Sequence, residues 1–234
     1  MPSRQIQLEE VGLVTIVKRR GARNIRLTIQ PDGQVRVSLP MWASYQAATE
    51  FVKQKRDWIT KNQVSKSLIH SGQRIGKAHR LLFVPSPTAS KTSARIKDQE
   101  IRVTHPAAQA LTTATVQAAA HKAALRALRD EAEQLLPRRL RELATHNELP
   151  FKSASVRQLK TRWGSCSSQQ HITLNYYLMQ LPWPLIDYVL VHELVHTKHM
   201  NHGPEFWELM ERLIPSARTV RKQLKAYRPW LVTY

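Results

Sequence analysis

The sequence predicts an α+β protein, with a basic, β-rich N-terminal region over residues 1–105 packed on a compact, largely helical domain over residues 106–234. Three observations carry this. Alternating and β-branched runs dominate the first hundred residues, helical periodicity dominates the rest, and the charge is unevenly shared. Of 36 Lys+Arg and 17 Asp+Glu in 234 residues, residues 1–110 hold 19 and 7, so most of the net +19 lies in the β-rich part. No Gly/Ser-rich linker marks the change near residue 105, so the two parts are expected to pack tightly.

The elements follow in order. Leu13-Val14-Thr15-Ile16-Val17 is a β-branched strand. Ile25–Ile29 and Val35–Leu39 alternate apolar and polar residues around Pro31-Asp32-Gly33, which predicts a hairpin with a half-buried face. Ser44 can cap a helix carrying Ala47, Phe51, Trp58 and Ile59 as far as about Lys61. Residues 79–104 read as short strands with a polar turn at 89–93. Thr113–Thr145 is helical, and Pro137 predicts a kink or break there. Ser153–Lys160 reads as a strand, Thr161–Gln170 as a Gly/Ser loop and His171–Asn175 as a second strand. Pro184 suits the first turn of a helix reaching Lys198 or His199. Gly203-Pro204 opens another, with Phe206, Leu209, Met210 and Leu213 on one face.

Composition excludes several classes. Hydrophobic residues at 42% and charged residues at 23% are those of a globular chain. No stretch approaches the roughly 20 apolar residues of a membrane span. Glu9-Glu10 before the first apolar run and Lys18-Arg19-Arg20 after it do not suit a secretory signal. The single cysteine, Cys166, allows no internal disulfide, and a reducing, cytoplasmic setting is expected. The positive excess, clustered at Lys18–Arg26 and Arg74–Arg102, either attracts polyanions, of which nucleic acid is the commonest, or serves as a solubility device; a peptide or protein substrate is the other partner class and a membrane is not expected.

The chemistry is concentrated in His192-Glu193-Leu194-Val195-His196, an HExxH pattern on a predicted helix. Histidines four apart share a helix face and can hold one Zn²⁺. Glu193, about 100° around the helix from His192, can reach water at the metal without being a ligand. A catalytic zinc needs a third protein ligand and one open position. His199 lies about 10 Å along an unbroken helix from His192, beyond the reach of a shared ion. His202 sits where Gly203-Pro204 should turn the chain back and is the favoured third ligand. Glu205, Glu208 and Glu211 are weaker alternatives on the next helix. Tyr176, Tyr177, Tyr188 and Arg162 are candidates for stabilising an oxyanion. His171–Asn175 is either a substrate-binding edge strand or an interior one. Cys166 reads as neither ligand nor reactive thiol; Trp163, Trp183, Trp207 and Trp230 as core or groove wall; His171 and His199 as solvent-facing or supporting groups.

The chain resembles the YgjP-like family of zinc metallopeptidases, related to SprT-like and minimal gluzincin-type proteases. The similarity runs through Pro31-Asp32-Gly33, Trp58-Ile59, Arg162–Ser167, Ile172–Asn175, Asp187–His196 and Asn201–Trp207. It implies a zincin-like metallopeptidase domain over 106–234, zinc held by His192, His196 and His202, and Glu193 as the catalytic residue. The expected function is peptide-bond hydrolysis by a metal-activated water with Glu193 as general base, on substrates near nucleic acid by analogy with SprT-like proteases. The rival expectation is a nucleic-acid-binding or scaffold protein whose zinc is structural, closed by His199 or Cys166 as fourth ligand.

Overall fold

A computed structural model describes residues 3–9, 11–29, 34–62, 68–159, 161–227 and 229. The architecture is mixed α+β, with six helices and three small sheets among the described residues. Two compact units divide between Ser67 and Leu68. The compositional change near residue 105 therefore falls inside the second unit, because the strands on its N-terminal side bury their apolar face with the long helix that follows.

The first unit contains β1 (Ser3–Leu8), β2 (Gly12–Arg19), β3 (Arg26–Ile29), β4 (Val35–Pro40), α1 (Tyr45–Gln54) and α2 (Arg56–Asn62). The sheet order is β1-β2-β4-β3. The expected hairpin is present as antiparallel β3 and β4, with Leu27 opposite Val37; its turn, Pro31-Asp32-Gly33, lies outside the described residues. β1 was not legible, since its apolar residues are few and its face is largely exposed. Val14, Ile16, Val35, Val37 and Leu39 bury one sheet face with Ala48, Val52 and Ile59. Ser44 caps α1 as expected, accepting from the Ala47 amide at 3.1 Å. The buried face runs through Ala48, Val52 and Ile59, one position on from the expected Ala47, Phe51 and Trp58, and Trp58, about 100° around from Ile59, stays 48% exposed.

The second unit opens with β5 (Arg74–Ile75), β6 (His79–Ser86), β7 (Ser93–Lys97) and β8 (Glu100–Pro106), in the order β5-β6-β8-β7. α3 (Ala114–His146) follows and is unbroken at Pro137, so of the kink or break expected there the break does not occur. Leu128, Ala132, Leu136 and Leu140 are buried on both sides of the proline, and the ion pairs Arg129–Glu133 and Arg138–Glu142 flank it. Packing therefore outweighs the one lost hydrogen bond.

Glu131 fastens this helix to the β5–β6 turn. Its buried carboxylate accepts the amides of Lys77 and Ala78 at 2.6–2.9 Å. Gly76, at φ +62°, lies so close that a Cβ there would meet Glu131 Oε2 at 1.8 Å, so only glycine fits. Lys77 Nζ donates to the Leu181 carbonyl and lies 5.5 Å from the Trp183 ring centre.

β9 (Ser153–Arg157), β10 (Gly164–Cys166) and β11 (His171–Asn175) form a second sheet in the order β10-β11-β9. β11 is thus the interior strand, antiparallel to β10 and parallel to β9, and the edge-strand alternative for it does not hold. The expected loop over 161–170 contains the edge strand β10 instead. A 3-10 turn (Tyr176–Gln180), α4 (Trp183–Val195), α5 (Pro204–Leu213) and α6 (Ala217–Ala226) complete the unit. Among the described residues, no helix is long and apolar enough to cross a membrane.

Candidate metal centre

α4 is buried nearly all round, through Leu185, Ile186, Val189, Leu190, Leu194 and Val195, as its almost continuous apolar sequence requires. Arg139 on α3 anchors it by a two-point bond to Asp187, Nε to Oδ1 at 2.9 Å and Nη2 to Oδ2 at 2.8 Å. This rigid helix presents His192 and His196 one turn apart.

The helix ends at Val195, three or four residues earlier than expected. The Thr197 hydroxyl donates to the Leu194 carbonyl at 2.7 Å, and the Lys198 and His199 amides both bond Val195. Side-chain competition for a terminal carbonyl thus ends the helix without glycine or proline. The chain then turns back and delivers His202. His192, His196 and His202 each offer a nitrogen, all within 4.8 Å of one another. Their ring centres stand 4.7–5.0 Å apart. Phe206, fully buried on α5, lies beneath all three at 4.7–4.9 Å. Its place on an apolar helix face predicted burial, but not this role as the floor of the site.

The donor set fits one divalent ion. Nε2 of His192 and of His202 approach to 3.1 Å, and two imidazoles sharing a tetrahedral zinc would place their nitrogens about 3.4 Å apart. His196 Nδ1 lies 3.0 Å from the His199 carbonyl; a carbonyl only accepts, so this nitrogen carries the proton and Nε2 keeps its lone pair. His192 is pushed down to about 3, first by burial and then by the other two imidazoles. Burial also lowers His196 and His202. Neutral rings with converging lone pairs are the form a metal ion requires.

Glu193 packs against Gly164 of β10, is 4% exposed, and has its Oε2 buried without a hydrogen-bond partner among the described residues. Burial pushes its carboxyl up to about 8, and the Arg162 charge opposes that rise. Gly164 on β10 makes room for it, since a Cβ there would stand 2.7 Å from Glu193 Oε1. Asn175, at the end of β11, fixes the segment before Gly164. Its Nδ2 donates to the Leu159 and Arg162 carbonyls at 2.9 and 3.0 Å, and its Oδ1 accepts from the Tyr177 amide. Sequence reading treated Asn175 only as a strand residue; an asparagine closing a strand before Tyr-Tyr carried no signal of this clamp.

The remaining candidates separate. Tyr188 stands beside the site, its ring 5.9 Å from that of His192 and its hydroxyl buried without a partner among the described residues. Arg162 acts on Glu193 through its charge. Tyr176 and Tyr177 are buried against each other in the turn that packs on α3. His199 pairs with Glu205 at 3.3 Å, and His171 bonds Ser153 and Ser155; neither joins the three-histidine group. Glu211 accepts the amides of Ala217 and Arg218. Cys166 lies on β10, half-buried, with its thiol raised by burial. Arg221 was missed altogether, because α6 was not foreseen. Its guanidinium lies 4.9 Å from the Trp207 ring centre, and Trp207 stands 6.2 Å from His202.

Among curated proteins, no relative of this chain is found. Solved structures that resemble part of it include the metallopeptidase zymogens abylysin of Pyrococcus abyssi (23% identity, TM-score 0.36) and jannalysin of Methanocaldococcus jannaschii (21%, 0.34). Each similarity covers 38% of this chain and 91% of the other. The family model described as "YgjP-like, metallopeptidase domain" matches residues 23–227, nearly the whole chain. With that extent of match, the chain belongs to the YgjP-like metallopeptidase family.

Proposed function

We propose that this metallopeptidase is a zinc enzyme that hydrolyses peptide bonds at the His192–His196–His202 centre, with Glu193 as general base. The observation that carries this reading is the convergence of three neutral imidazole nitrogens within 4.8 Å. Zinc held there would supply Lewis acidity towards a carbonyl oxygen and would acidify water. Glu193 takes a proton from the attacking water and returns it to the leaving amine. Burial pushes its carboxyl up to about 8 and the Arg162 charge opposes that rise, so the ionised form that accepts the proton gains as pH rises towards 8. Gly164 and Asn175 hold the carboxylate's surroundings. An extended substrate would add to the sheet along β10, whose only pairing partner among the described residues is β11. The lone cysteine suits a reducing cytoplasm, and the basic excess suits substrates held near nucleic acid.

The rival is a scaffold with structural zinc, which requires a fourth protein ligand. Against it, the metal-ligating group has three members among the described residues, while His199 is engaged by Glu205. Glu193→Gln tests the catalytic reading. The variant is expected to keep one zinc per chain and to lose hydrolysis of a peptide library by at least about a hundredfold. Full activity in Glu193→Gln would refute the general base. His202→Ala should release the metal and His199→Ala should retain it; the reverse result would move the third ligand.

A further inference from the structure

The sheet β5-β6-β8-β7 buries one face in the second unit: Ile75, Leu81, Ile101, Phe83 and Val103 are all at or below 9% exposure. The register places cations on the other. Across the four strands, Arg74 lies opposite Arg80, Arg80 beside Glu100, and Glu100 opposite Lys97. In the next row Arg102 faces Arg95. All five cations are exposed. Among the described residues, Arg102 pairs with Glu100 at 2.8 Å, whereas no carboxylate pairs with Arg74, Arg80, Arg95 or Lys97. The face is concave and borders an open hollow of about 1010 Å³, where the five cations outnumber two carboxylates, Asp98 and Glu100.

Like charges set directly opposite each other in a sheet destabilise it, and here that happens twice, at Arg74–Arg80 and Arg95–Arg102. Folding gains nothing from this arrangement; an anionic partner would relieve it. We infer that the outer face of this sheet binds the phosphate backbone of duplex nucleic acid without reading its sequence. Four strands span about 14 Å, a length over which a duplex carries roughly eight phosphates, so several can be met at once. The cation-bearing rows carry no aromatic side chain. Proteins that hold single strands use aromatic platforms for stacking, which favours a duplex here. Cations spread over two rows of an open sheet face suit phosphate oxygens, contacts that fix position and carry no sequence information.

The experiment measures binding of the full chain to a fluorescent 20-base-pair duplex of arbitrary sequence between 50 and 200 mM salt. Four engaged cations contribute about −3.6 to the slope of log affinity against log salt, or about a 150-fold loss over that range. The triple variant R74Q/R80Q/R95Q should make the slope shallower by about 2.7. The control R19Q/R20Q/R23Q removes three exposed arginines of the first unit and should leave the slope nearly unchanged. Equal effects of the two variants would overturn the assignment to this face, as would an unaltered slope in R74Q/R80Q/R95Q. Tighter binding of the single strand than of the duplex, or binding to anionic lipid vesicles alone, would overturn the choice of partner. Thermal unfolding and zinc content of each variant verify the fold. No readout involves hydrolysis, so failure here leaves the peptidase reading standing, and the converse.

Discussion

The three-stranded and four-stranded sheets of the second unit both pack against α3, yet they treat polar groups in opposite ways. Beside the three-stranded sheet, Glu193 and His196 are almost fully buried, and Asn175 spends its whole side chain on the backbone that surrounds them. Desolvation there holds imidazoles neutral and makes a carboxyl reluctant to ionise. On the four-stranded sheet the arginines stand in solvent, and like charges sit opposite each other. Chemistry on single atoms needs the first environment, and attraction of a polyanion needs the second.

The largest effect that would break this comparison is at the floor of the metal centre. Phe206→Ala removes a fully buried ring from beneath three histidines. It is expected to cost about 3–5 kcal/mol of stability and to weaken zinc retention, read by urea unfolding and chelator competition; Phe206→Leu should recover most of the stability. Unchanged zinc retention in a folded Phe206→Ala protein would show that the rings hold their positions without it.

Gly164→Ala sharpens the role of Glu193. The new methyl would meet the buried carboxylate at 2.7 Å, so hydrolysis should fall about tenfold or more while zinc content stays at the parent level. Equal loss of metal and activity would mean that β10 supports the histidines rather than the acid. Arg139→Gln, measured by denaturant midpoint, should cost about 1 kcal/mol, since the half-exposed bidentate pair with Asp187 is only partly desolvated. The smallest effect has the opposite sign. R74Q/R80Q, with one like-charge pair relieved, should raise stability by about 0.2–1 kcal/mol at low salt, and the gain should vanish at high salt. Destabilisation at low salt would show that these arginines are structural.

Short-range rules made much of the protein readable from its residues. The Ser44 cap, the β3–β4 pairing, the extent of α3 and the shared face of His192 and His196 all depend on neighbours within a few positions, where period and capping chemistry decide. A turn near His202 was expected from Gly203-Pro204, but those residues open α5, and the helix before His202 already ends at Val195, beside Thr197. What the tertiary structure alone decided involves groups distant in sequence. Pro137 was accommodated because Leu128, Ala132, Leu136 and Leu140 are buried on both sides of it. β10 became a strand because β11 offered it an edge, and the unit boundary fell before Leu68 because the β5–β8 face had to be buried by α3. Phe206, Asn175 and Gly164 acquired their parts at the metal centre in the same way. Their effects depend on which side chain arrives opposite them, and close packing, unlike periodicity, leaves no trace along the chain.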